Sequence, residues 1–281
     1  MLVDLQAGRY RLGVATTYGP RIASFRLEEG PELFARLPEH VVIEHPESGV
    51  YRFHGGHRLW VAPEVPAVTY ASDDHACEVT SSATGFTVTA PADSAGFVKE
   101  IEVTSTGDSL AVDHRLTNGG PAPVEAAVWS ITQFPLGGTA LMPVAGWETG
   151  DPFQADASVV VWPYTNLADP RLSWMGRLAL IEARVGPRFK IGSAPRPGRL
   201  GYQREGYLFV KEVSASEGGA YPDRGAVGQV FVEDYFCELE SMGPLTGLQP
   251  GESLCHRETW EAAECPSLGV AYQQFIGGVA A

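Results

Sequence analysis

Residues 236–260 read FCELESMGPLTGLQPGESLCHRETW, two alternating runs joined by a Gly- and Pro-containing turn. Side chains alternate across a strand, so Glu238 and Glu240 share one face while Cys237, Leu239 and Ser241 take the other. The two carboxylates then stand ~7 Å apart along the strand. The apolar alternates suit a packed second face, which makes the acidic face the polar side of a groove. Carboxylates paired in a cleft raise one another's pKa, and a raised carboxylate is the usual instrument for moving protons on and off sugar hydroxyls. A solvated strand face is the competing reading of any single Glu-x-Glu.

The surrounding composition extends the strand reading to the whole chain. Among 281 residues, 32 Gly and 21 Pro punctuate short runs rich in Val, Thr and Tyr, the signature of many short strands. A hydrophobic fraction of 44% is ample for a large core. No internal repeat, low-complexity tract or charge block divides the sequence, so it reads as one all-β domain over residues 1–281. The net charge of −14 disfavours nucleic acid, whose phosphates would be repelled before contact. No run approaches the ~18 apolar residues of a membrane helix, and the N-terminus, MLVDLQAGRYRLGV, lacks the basic start and apolar core of a signal peptide. A cytoplasmic location is therefore expected.

The four cysteines, Cys77, Cys237, Cys255 and Cys265, show no Cys-x-x-Cys spacing, which argues for free thiols and against a zinc ribbon or redox pair. Nucleotide-binding glycine motifs, His-Glu-x-x-His and Gly-x-Ser-x-Gly are all missing from the sequence. The expectation is a protein that needs neither metal nor cofactor.

Toward the N-terminus, residues 8–27 read as a hairpin turning at Gly19-Pro20, with Arg21 a solvated group after the turn. Residues 28–47 read as loop with a helical turn near PELFARL. The segment 51–75, YRFHGGHRLWVAPEVPAVTYASDDH, reads as a glycine-rich loop and concentrates His54, His57, Arg58, Trp60, Glu64, Tyr70, Asp73, Asp74 and His75. Such a mixture of cation, aromatic plate and carboxylate suits a neutral polyhydroxylated ligand, which offers hydroxyls to bond and an apolar ring face to stack. Each residue alone is as well explained by packing.

Residues 75–90 and 97–118 read as a meander. The strand at 123–135 puts Trp129 and Gln133 on one face with Glu125 and Ala127. Residues 138–200, which include Trp147, Trp162 and Trp174, read as irregular apart from a strand near 177–185. The stretch 188–213 carries Lys190, Tyr202 and Lys211 on or beside short strands. The tail holds one short helix.

A family resemblance rests on particular residues. Leu239-Glu240, Gly243-Pro244, Leu248-Gln249-Pro250-Gly251-Glu252 and the run His256–Trp260 resemble the C-terminal strands of galactose mutarotase-like proteins. His54-Gly55-Gly56 resembles the His-Gly-Gly of aldose 1-epimerases. GGHRLWVAPE, WSITQ, KIG, LFVK and ELESMGPL resemble, in their order, the motifs of a bacterial branch of that superfamily. The resemblance covers residues 10–262 and implies a β-supersandwich, one antiparallel domain with a concave sugar-binding face.

What the resemblance implies for function is carried residue by residue. Glu240 would be the general base on the anomeric hydroxyl, and His54 would bond a sugar hydroxyl with Arg58 or Lys190 assisting. The family's acid, a histidine on a central strand, has no counterpart in AVWSITQF, so His57 is the substitute. The other substrate-binding candidates are Trp60, Glu64, Asp74, Trp129 and Gln133, then Tyr202, Lys211 and Glu238. The implied activity is mutarotation of a hexose or hexose derivative. The alternative is a non-catalytic carbohydrate-binding or sensing protein; a lyase or hydrolase would need a further helical domain. Either main reading has a small-molecule carbohydrate as partner, and both need the histidine-bearing corner to face the acidic strand across one hollow.

Overall fold

A computed structural model of the protein describes residues 1–144, 153–194, 198–213 and 218–277; Trp147 lies outside these. Two ten-stranded sheets, antiparallel at every described pairing, stack face to face. In the first, the strands Arg21–Leu27, Gly56–Ala62, Val124–Phe134, Cys237–Met242, Gly228–Val232 and Phe189–Ser193 lie side by side in that order. In the second, Tyr207–Val213, Ser253–Glu264, Leu110–Asn118 and Phe97–Ser105 form the centre. A separate hairpin, Val42–His45 with Gly49–Arg52, pairs with neither.

Alternation explains which face each strand buries. In Ser253–Glu264 the even residues Leu254, His256, Glu258, Trp260 and Ala262 are buried between the sheets, while Arg257 and its odd neighbours face outward. They meet Leu59, Val61, Val128 and Leu239 from the first sheet in the main core. The first sheet is buried on its other face too. There Trp60, Ala127, Trp129, Ile131 and Met242 pack with Tyr51, Phe53 and Phe236 into a second cluster. Burying an apolar side chain stabilises by roughly 1.5–3 kcal/mol, and this second cluster covers the central strands of the sheet on the face turned away from the partner sheet. The helix Leu268–Gly277 covers the outside of the second sheet through Ala271 and Phe275.

Several expectations need correction. Residues 51–62 are not a loop: Gly56–Ala62 is a central strand, buried at every position. Its strand character is hidden in the sequence because both faces are covered, which erases the polar alternation. The glycine pair serves packing. A Cβ at Gly55 would lie 2.0 Å from the Ala35 carbonyl oxygen and one at Gly56 2.4 Å from that of Ile22, and both residues have left-handed φ values of 92° and 73°.

No helical turn forms near PELFARL. Backbone amides there are taken by neighbouring strands, Leu33 N–H by Phe25 O and Ala35 N–H by Gln133 O, and Glu32 accepts from Phe25 and Phe34 N–H. Among the described residues, the stretch 138–200 holds five whole strands, among them Thr139–Pro143 and Phe189–Ser193, and the start of a sixth. Arg21 is fully buried. Its guanidinium donates to the carbonyls of Phe53 and Gly55 at 2.9 and 2.8 Å, to Tyr51 Oη and to Asp73, so it clamps the corner that presents Phe53. The hairpin around Gly19-Pro20, the meander, the 123–135 strand and the terminal helix form as the sequence indicates. All four cysteines are unpaired. No helix of the described residues is long and apolar enough to cross a membrane.

Candidate functional site

The second face of the first sheet carries a hollow of about 410 Å³, within the ~300–1,000 Å³ of small-molecule sites. Its floor is a grid set by strand register. Trp60 lies opposite Trp129, and Trp129 opposite Met242; Gln133 lies opposite Glu238, Glu238 opposite Phe231, and Phe231 opposite Lys190. Trp60, Trp129 and Phe231 line the hollow with Phe53, and Trp162, Tyr164 and Tyr70 complete its aromatic walls. Val42 and Ile43 of the isolated hairpin also line it. Two other depressions, of about 470 and 480 Å³, have no comparable lining: the first has one aromatic residue, Tyr10, and the second none.

Two buried ion pairs cross this floor. Arg58 Nη2 donates to Glu238 Oε1 at 2.9 Å, and Lys190 Nζ donates to Glu240 Oε2 at 2.8 Å. Both run diagonally, since Arg58 lies in register with Glu240 through Ile131, and Lys190 with Glu238 through Phe231. Each cation also lies against aromatic faces. The Arg58 guanidinium is 4.2 Å from the Trp60 ring centre, and Lys190 Nζ is 4.7 Å from those of both Trp129 and Trp162. Cations held between aromatic faces and a carboxylate are fixed in direction as well as charge.

The two carboxylates are not equivalent. Glu240 is fully buried beneath the hollow, and its Oε2 accepts from Trp129 Nε1 as well as from Lys190. Glu238 lines the hollow. Burial, offset in part by Arg58 and reinforced by the Glu240 charge, pushes its carboxyl up to about 7. Its two fixed hydrogen bonds, from Arg58 and from Gln133 Nε2 at 2.9 Å, both end on Oε1, leaving Oε2 for a ligand. At the rim, Arg188 pairs with Glu233 at 3.2 Å, and the Tyr70 hydroxyl donates to Glu64. Burial and the charges of Glu240, Glu64 and Glu238 raise the Tyr164 phenol above its ordinary value.

The structure therefore brings together Arg58, Trp60, Glu64, Trp129, Gln133, Lys190, Glu238 and Glu240, drawn from four strands and the segment after one of them. It places five other expected residues elsewhere. His57 points between the sheets, because it has the opposite parity to Arg58 and Trp60. There its Nε2 shares a hydrogen bond with His114 Nε2 at 2.7 Å and its ring lies edge-on to Trp260. Lys211 is in the same interior, 2.9 Å from Glu258. Tyr202 is buried in the main core, donating to the Pro135 carbonyl. His54 and Asp74 form an outer corner: His54 Nε2 meets Asp74 Oδ1 at 2.7 Å, and its ring stacks on Tyr18. The histidine-bearing corner and the acidic strand thus do not face each other across one hollow. The contact between the two segments is made by Arg58, two residues beyond the glycine pair.

Sequence reading missed Trp162, Tyr164, Arg188, Phe231 and Glu233. Arg188 and Glu233 flank the paired strands Phe189–Ser193 and Gly228–Val232, and a parity argument from Lys190 could have found Arg188. Trp162 and Tyr164 lie in an irregular stretch with no period to read.

The sequence matches no protein-family model and no curated protein. Solved structures do match over almost the whole chain. A galactose mutarotase-like protein from Lactobacillus casei superposes with a TM-score of 0.59 at 10% identity, covering 94% of this chain and all (100%) of the other. A candidate aldose 1-epimerase from Escherichia coli gives 0.56 at 16% identity, covering 94% and 99%. A galactose mutarotase related enzyme from Lactobacillus acidophilus gives 0.56 at 11% identity, covering 95% and 99%. The chain has the galactose mutarotase-like fold, an antiparallel β-sandwich. At these identities the likeness speaks to architecture alone, since one scaffold carries many chemistries.

Proposed function

We propose that the hollow binds one monosaccharide ring and that Glu238 exchanges a proton with the anomeric hydroxyl, an activity of aldose 1-epimerase type. The observation that carries this reading is Glu238 itself, a carboxylate lining an aromatic-walled hollow with its pKa pushed up to about 7. A base poised near neutral pH both accepts and returns a proton readily. Removing the O1 proton drives the electron pair into a C1 carbonyl as the C1–O5 bond breaks, and O5 takes up a proton. Lys190 and Tyr164 present donors on the hollow side for that step. Rotation about C1–C2 and the reverse sequence give the other anomer. Glu240, sealed under Lys190 and Trp129, acts by holding Lys190 in place.

A second reading, carbohydrate binding without turnover, is favoured by one observation: no histidine lines the hollow among the described residues. Polarimetry on a panel of aldoses, run beside calorimetry, separates the two. Anomer interconversion above the buffer rate that is lost in Glu238→Gln supports the enzyme. Binding with interconversion at the buffer rate supports the binding protein, and no binding at all removes both.

A further inference from the structure

Among the described residues, every cation in or beneath the hollow already has a carboxylate of its own. Arg58 is held by Glu238, Lys190 by Glu240 and Arg188 by Glu233, at 2.9, 2.8 and 3.2 Å. A fourth carboxylate, Glu64, lines the hollow and forms no ion pair among the described residues; it takes the Tyr70 hydroxyl instead. The hollow therefore offers an incoming anion no spare positive charge, and it offers an incoming cation a carboxylate.

We propose that the hollow sorts sugars by charge, turning away phosphorylated sugars and uronates and holding a protonated aminodeoxy sugar more tightly than its uncharged counterpart. This rests on the carbohydrate reading above and goes beyond it by naming the substrate class. A phosphate or uronate would have to share a cation with the carboxylate that already neutralises it, or displace that carboxylate. For the two floor pairs that leaves a buried carboxylate uncompensated, a heavy penalty. Opening the more exposed Arg188 pair would set Glu233 and the new anion side by side.

A ligand ammonium does the reverse. It supplies the fourth cation beside Glu64, in a hollow whose lining includes the Tyr70 and Tyr164 side chains. At the Tyr164 wall, after burial, the charges of Glu240, Glu64 and Glu238 oppose ionisation of the phenol, with Arg188 acting against them. The effect is electrostatic, so it weakens as salt rises.

Calorimetry on the full chain at low salt and at about pH 7.5, above the Glu238 carboxyl at about 7 and below the ~7.7–8.0 of an α-amino-type group, tests this. The ligands are glucose, glucosamine, N-acetylglucosamine, glucose 6-phosphate and glucuronate, with the galactose series in parallel. The amine is expected to bind roughly three- to tenfold more tightly than its parent sugar, and the anions at least about tenfold more weakly. The advantage of the amine should shrink in Glu64→Gln and at high salt, and the N-acetyl compound, which lacks the charge, should lose it. An anion that binds as tightly as the parent sugar, or an amine that binds no more tightly, overturns the charge filter while leaving the carbohydrate site intact. Failure of every sugar to bind removes the carbohydrate reading itself.

Discussion

The first sheet carries a buried charged network on each face, and the two differ in how completely they are satisfied. Between the sheets, Glu258 Oε1 accepts from Ser130, Ser241 and Lys211, and its Oε2 from Trp260 Nε1. His57, His114 and His256 fill the remaining positions, bonded to Thr132, to the His256 carbonyl and to Ser241. On the hollow side, Glu240 Oε1, Arg58 Nη1 and Gln133 Oε1 are buried without a protein partner. A closed network has nothing left to offer a ligand and acts as scaffold. An open one leaves buried polar atoms unmatched at a cost of roughly 1–3 kcal/mol each, and so gives up stability that the closed one keeps.

If that contrast is right, damage to the two networks should be felt differently. The largest effect expected is on stability: Glu258→Ala strands Lys211 in the core and should cost on the order of 3–5 kcal/mol by chemical denaturation. A smaller loss, within about 1 kcal/mol, would mean that the interior is wetter than its geometry shows. Next, Glu238→Gln should slow anomer interconversion by about a hundredfold or more while shifting the denaturation midpoint less than Glu258→Ala, because Gln keeps the Oε1 acceptor for Arg58 and Gln133. An equal loss of stability from both would erase the distinction.

Acid should attack the closed network. Burial, its largest cause, holds the His57 and His114 pKa values below the ordinary 6.5, and that of His256 down to about 3. The unfolded chain binds protons at these sites from about pH 6.5 downward and the folded chain does not, so stability falls as pH drops through that window. Glu258, whose carboxyl is held well below its usual value chiefly by Lys211 against burial, adds to the loss below about pH 4.5. Glu238 opposes it: with its pKa raised to about 7, it takes up a proton in the folded state between about 7 and 4.5 and stabilises over that range. Three histidines and Glu258 outweigh one carboxyl, and a melting temperature that rises steadily from pH 7 to 4 would contradict this sum.

At the hollow, Trp162→Ala removes one of the two rings flanking Lys190 and should weaken sugar binding by about 1 kcal/mol, read by calorimetry. The smallest effect belongs to the outer corner. His54→Ala should leave sugar affinity unchanged within about twofold, because its ring lies against Tyr18 and Asp74 rather than in the hollow. A tenfold loss there would reinstate the corner as part of the site.

Much of the fold was legible because strands on a half-wet sheet keep their alternation: Ser253–Glu264 and Leu110–Asn118 show it cleanly. Gly56–Ala62 did not, being covered on both faces. For the site, the parity of Glu238 with Glu240 and of Trp129 with Gln133 placed four side chains correctly. His57 sits in the same cluster around the glycines as Arg58 but has the opposite strand parity, which turns it into the interior between the sheets. Trp162 and Tyr164 reach the hollow from an aperiodic segment, and no local rule predicts where such a segment docks.

By itself the sequence determined that this protein is built of strands and which residues of each strand share a face, because side-chain alternation is a local property of the backbone. Only the tertiary structure decided which of those faces met. The packing of two sheets turned one set of histidines inward into a closed interior, and strand order brought Arg58 and Lys190 across to two glutamates that lie 180 and 50 residues away in the chain. The burial that lifts Glu238 depends on neighbours from separate strands, and such neighbours exist only once the sheets are assembled.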